Sequence, residues 1–130
     1  MVHLATPQDS SKPRRVLLAS QPSVHVSLGG ISSDFKWQLH HVTTCGEAIA
    51  FAHLNEPQVV VCERELPDGN WKDLLDAFDR LPERPNLIVT SRLTDEALWA
   101  EVLNLGGYDV LAQPFDPEEV FRVISLASRH

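Results

Sequence analysis

Short apolar runs alternate with longer amphipathic stretches along this chain, and the alternation repeats five times. Residues 16–19 (Val-Leu-Leu-Ala) form an apolar run of strand length, closed by Ser20-Gln21-Pro22. Residues 37–42 alternate as a strand does, and Val59-Val60-Val61-Cys62 suits a strand buried on both faces. Residues 87–90 and 108–112 supply two further strands. Between them the period lengthens. Residues 46–55 predict a helix with Ile49 and Ala52 inward, ended before Pro57. Residues 70–81 predict a second, with Trp71, Leu74, Leu75 and Phe78 at helical spacing. Thr94 is placed to cap a helix over 95–105, which Gly106-Gly107 ends. Asp116-Pro117-Glu118-Glu119 is a helix start, and the last helix carries Val120, Phe121, Val123, Ile124 and Leu126.

Residues 23–33 fit least well. The topology needs a helix there, but Gly29-Gly30 costs roughly 1 kcal/mol per glycine, and Val24 and Val26 are weak helix formers. A short or irregular helix is expected. Residues 1–14 are polar, carry Pro7 and Pro13, show no period and read as a leader, leaving 15–130 as one domain. Five strands alternating with helices predict an α/β, doubly wound parallel sheet covered on both faces.

Bulk properties narrow the function. The 130 residues are enough for one core. The net charge of -7 disfavours a phosphate backbone, so no nucleic-acid partner is expected. No apolar run approaches a membrane span and the first residues lack signal-peptide character, so the expected location is the cytoplasm. Cys45 and Cys62 have no metal spacing, and Cys62 reads as a small core residue. His40 and His41 are neighbours on a strand, face opposite sides and do not make a metal pair. No glycine-rich nucleotide loop and no nucleophile elbow is present.

The informative stretch is Glu63-Arg64-Glu65-Leu66-Pro67-Asp68-Gly69, which places a carboxylate at the carboxyl end of the central strand and then turns. It resembles the D-x-x-[LM]-P-D-G stretch of response-regulator receiver domains. Leu111-Ala112-Gln113-Pro114-Phe115-Asp116-Pro117-Glu118-Glu119 resembles their L-x-K-P-F-x-x-x-E ending. The resemblance spans residues 15–129 and implies a flavodoxin-like fold with strand order 2-1-3-4-5. It implies a signalling module of two-component pathways, not an enzyme. Because the chain ends with the fifth helix, no output domain is expected.

Such domains hold Mg²⁺ with an acidic pair after the first strand and phosphorylate an Asp after the third. A Thr or Ser after the fourth strand and a Lys before Pro bind the phosphoryl group, and an aromatic on the fifth strand moves with the switch. Here the acidic pair falls on Ala19 and Ser20, or on Ser20 and Gln21. The acceptor position holds Glu63, the Thr is kept as Thr90 followed by Ser91, the Lys position holds Gln113 and the aromatic position holds Val110. Trp71 replaces a Gly usual after the third-strand loop. Mg²⁺ binding is expected to be lost or weak, with no other cofactor. Glu63 reads either as a partial phosphoryl mimic, one methylene longer than Asp, or as a carboxylate surviving at a solvated rim.

The expected function is that of a degenerate receiver acting as a protein-interaction module without phosphorylation. The alternatives are a conventional phosphorylatable receiver, or a small flavodoxin-like enzyme or ligand binder with a pocket above the strand ends. The fourth helix carries more apolar residues (Ala97, Leu98, Trp99, Ala100, Val102, Leu103, Leu105) than one buried stripe needs. One reading is a generously packed core helix. The other is a docking face built on Leu98, Trp99 and Val102, with a protein partner or a second copy bound through the fourth helix, fifth strand and fifth helix.

Overall fold

The computed structural model describes residues 14–32, 37–92 and 96–129. Five strands, β1 (Arg14–Ala19), β2 (Trp37–Val42), β3 (Val59–Glu63), β4 (Asn86–Ser91) and β5 (Asp109–Ala112), pair in parallel in the order β2-β1-β3-β4-β5. Five helices alternate with them: α1 (Pro22–Ser32), α2 (Cys45–Asn55), α3 (Trp71–Phe78), α4 (Glu96–Asn104) and α5 (Pro117–Ala127). This is the expected doubly wound α/β sheet. Among the described residues no helix is long and apolar enough to cross a membrane.

Alternate residues of the central strands feed two apolar layers. Leu17, Val60, Cys62, Leu87 and Val89 face α2, α3 and α4, meeting Ala48, Trp71, Leu74, Phe78, Leu98 and Val102. Val16, Leu18, Val59, Val61 and Ile88 face α1 and α5, meeting Val24, Leu28, Val120, Val123 and Ile124. Both faces of β3 are buried, as its unbroken apolar run predicts.

Three expectations change. Helix α1 is a regular helix of 11 residues, not a short or irregular one. Its Val24 and Leu28, one turn apart, are buried against Val16 and Leu18, and this packing outweighs the poor propensity. Strand β1 begins at Arg14, paired with Trp37, two residues before the apolar run 16–19 that predicts it. The third change concerns α4, where Leu98 and Val102 are only 2% and 0% exposed. They fill the layer between α4 and the sheet and are not part of a docking face. Thr94, expected to cap α4, lies outside the described residues, as does most of the leader, residues 1–13. At the other end of α4, Gly106 adopts φ 104 and its N–H donates to Leu103 O, the glycine stop expected there.

Candidate functional site

Parallel register brings the carboxyl ends of β1, β3 and β4 side by side, with Ala19 opposite Cys62 and Glu63 opposite Thr90. Glu63 closes β3 and is half-buried. Its carboxylate Oε1 accepts the backbone N–H of Gln21 at 2.6 Å, tying β3 to the turn between β1 and α1. Ser20 in that turn is fully buried, and its N–H donates to Val42 O at 3.0 Å. Ala19, the other candidate at this edge, is buried apolar core.

The second half of the site is neutral. Thr90 is fully buried, and Gln113 Nε2 donates to Thr90 Oγ1 at 3.2 Å. The Gln113 N–H donates to Ser91 O at 3.0 Å, which fixes the chain as it leaves β5. Ser20, Gln21, Glu63, Thr90 and Gln113 thus lie together at one sheet edge. Val110 is set apart: it lies partly buried against the layer under α4 and offers no ring to swing.

The loop after β3 closes although Trp71 stands where a glycine is usual. Glu65 and Asn70, then Leu66 and Gly69, pair as a two-residue hairpin. Gly69 is required by close approach, since a Cβ there would lie 2.6 Å from Asp73 Oδ2 and 3.1 Å from Cys45 Sγ. Asn70 caps α3 by accepting from Lys72 N and Asp73 N, and Asp73 accepts from Asn70 N in return. Trp71 turns inward and joins the core.

Asp68 has a role that the turn motif alone does not reveal. Its two oxygens accept the N–H of Cys45 at 2.7 Å and of Gly46 at 3.0 Å, so it caps α2 from a distant loop. The Gly46 and Cys45 backbone bonds hold its carboxyl below the ordinary Asp value. The signal available in the sequence, an acid within a Pro-Asp-Gly turn, is shared by any turn. Burial, followed by Asp68, pushes the Cys45 thiol up to about 11, and burial raises the Cys62 thiol as well. Neither is poised as a nucleophile.

Along the flank, α4, β5 and α5 border an open groove lined by Glu96, Trp99, Asp109, Val110, Glu119 and Arg122. Trp99 is 51% exposed there, on the side of α4 away from Leu98 and Val102.

The strand order and the helices on both faces recur in known proteins. The signal receiver domain of an HD domain-containing protein from Pseudomonas fluorescens superposes with a TM-score of 0.79 at 23% identity, covering 92% of this chain and 96% of that one. The chemotaxis response regulator CheY4 of Vibrio cholerae gives 0.79 at 16% identity, covering 89% and 99%. The beryllofluoride-activated NtrC4 receiver domain dimer gives 0.80 at 22% identity, covering 88% and 96%. The fold is that of response-regulator receiver domains. In sequence, the chain is 32% identical over 113 residues to the "probable transcriptional regulatory protein TcrX" of Mycobacterium tuberculosis, covering 84% of this chain and 47% of that protein. It is 23% identical over 74 residues to the chemotaxis protein CheY of Thermotoga maritima, covering 57% of this chain and 62% of CheY. The chain therefore spans about half the length of the first relative and less than two thirds of the second. No family model matches the chain.

Proposed function

We propose that this chain is a receiver-like domain of a two-component pathway that works as a protein-interaction module without taking up a phosphoryl group. The observation that carries this reading is the Glu63–Gln21 bond. Where a receiver would hold a metal between its acidic pair and its acceptor Asp, this chain has a backbone N–H donor against a carboxylate. The carboxylate is one methylene longer, and its Oε1 is already engaged.

The residues at this edge do not fit Mg²⁺. That ion wants several hard oxygen ligands in octahedral order. Ala19 offers no side-chain ligand, Ser20 is fully buried, and the Gln21 N–H occupies the Glu63 oxygen that faces the β1 turn. Gln113 brings no charge to balance an incoming phosphoryl group, and it donates to Thr90. Glu63 supplies one negative charge, short of the roughly -1.5 to -2 of a phosphoryl group, so it mimics that state only in part.

The docking surface in this reading is the α4–β5–α5 flank around Trp99, with a protein partner or a second copy of the chain as occupant. A half-exposed Trp beside a groove is the kind of anchor interfaces use. The acidic balance argues against nucleic acid, and the cytoplasm is the compartment in which such a module would act. The test is intact-mass measurement after incubation with acetyl phosphate and Mg²⁺. The expected result is an unchanged mass. A stoichiometric, Mg²⁺-dependent gain of one phosphoryl group would return the chain to the conventional receivers.

A further inference from the structure

We propose that His25 and His41 form a proton-operated latch that holds the first turn of α1 onto the edge strand β2. The two imidazoles stack face to face, with centroids 4.3 Å apart and planes 4° from parallel. One belongs to α1 and the other to β2, the outermost strand on that side of the sheet. His41 is fixed from below: its Nε2 lies 2.8 Å from the Ser20 carbonyl oxygen. A carbonyl only accepts, so Nε2 carries the hydrogen and Nδ1 is the atom left to take a proton.

The stack tolerates one proton and not two. A second would place like charges 4.3 Å apart on parallel rings. Among the described residues no carboxylate is recorded in contact with either ring. Helix α1 has no other ionisable side chain. His40, next on β2, turns to the other face of the sheet and meets Phe51. Ser20 and Gln21 in the adjoining turn are neutral, and Glu63 is engaged with the Gln21 amide. Helix α5, which also packs near α1, carries Glu118, Glu119 and Arg122, and Arg122 lies beside Glu119. Burial first and His41 second hold the His25 ring below its ordinary 6.5. Folding therefore favours neutral His25. That contribution is complete above pH 6.5 and is lost as pH falls through the depressed folded value.

Opening the latch reaches the site described above. The Ser20 carbonyl under His41 and the Gln21 N–H on Glu63 belong to the same turn that starts α1. A proton at the His pair thus loosens the hold of Glu63 on this turn, a regulatory input distinct from phosphorylation and independent of whether Glu63 is phosphorylated.

Imidazole-resolved NMR titration and amide hydrogen exchange test this on the full chain. His25 should titrate at lower pH in the wild type than in His41→Leu, each unit of difference corresponding to a tenfold preference of the fold for the neutral ring. Protection factors in α1 should drop about tenfold or more between about pH 7.5 and about pH 5, and those in α3 and α5 should hold. Equal His25 midpoints in the two proteins would overturn the latch. If His41→Leu does not fold, the wild-type exchange decides alone. A pH-dependent loss confined to α1 supports the latch, and no loss, or a uniform loss across all helices, refutes it.

Discussion

Asp68 reads in the sequence as one residue of a turn, yet its carboxylate caps α2 from a loop more than 20 positions away. Its depressed pKa carries a sign. A carboxyl more acidic in the folded state contributes stability above its ordinary value of 3.8, and that contribution is lost as pH falls through the folded value. Asp68→Asn should lower Tm at neutral pH, and thermal melts should show the gap to wild type closing below about pH 4. Glu63 makes the complementary case, because the family pattern finds the residue and only the structure finds its partner, the Gln21 N–H. Glu63→Asp should therefore not create a phosphorylatable protein, since Ala19, Ser20 and Gln113 remain as they are. A Mg²⁺-dependent phosphoryl adduct on Asp at position 63 would show that the metal site is not what is missing. The positions Ala19, Ser20, Thr90 and Gln113 are legible only through the family resemblance, although parallel strands bring every carboxyl end to one edge. The bonds between them are not, because they depend on side-chain reach across strands.

Helix α4 shows what an apolar pattern does and does not say. The sequence reveals a surplus of apolar residues but not the angle at which the helix sits on the sheet, so it placed Leu98 and Val102 outside when they are core. The three residues now predict opposite behaviour. Leu98→Ala should cost about 2–5 kcal/mol in chemical denaturation, as a core truncation does. Trp99→Ala should hardly shift stability, whereas a buried Trp→Ala would cost about 3–5 kcal/mol. The same Trp99→Ala change should weaken partner binding or self-association by about 2 kcal/mol. A large drop in Tm with unchanged association would put Trp99 in the core. Helix α1 errs the other way. Its two glycines argue against a helix, but a Cβ at Gly29 or Gly30 would meet nothing within 4 Å. They are a local cost that Val24 and Leu28 offset by burial. Gly30→Ala should stabilise the protein by about 0.5–1 kcal/mol, read as a higher denaturant midpoint.

For the molecule as a whole, the alternation of five apolar runs with five longer periods was enough to read the layers, because each strand buried on both faces leaves a continuous apolar stretch. Periodicity could not supply the strand order. That came from the resemblance, and the pairing β2-β1-β3-β4-β5 agrees with it. The proposed function turns on one edge of this receiver fold, where Glu63 accepts from the Gln21 N–H and Gln113 donates to Thr90; on that proposal no phosphoryl group acts there. Beryllofluoride is the direct probe, since a related receiver domain of the same fold is known in a beryllofluoride-activated form. Amide NMR spectra of the chain should be unchanged when Mg²⁺ and beryllofluoride are added together. Saturable shifts at Gln21, Glu63, Thr90 and Gln113, spreading to Trp99, would contradict the account.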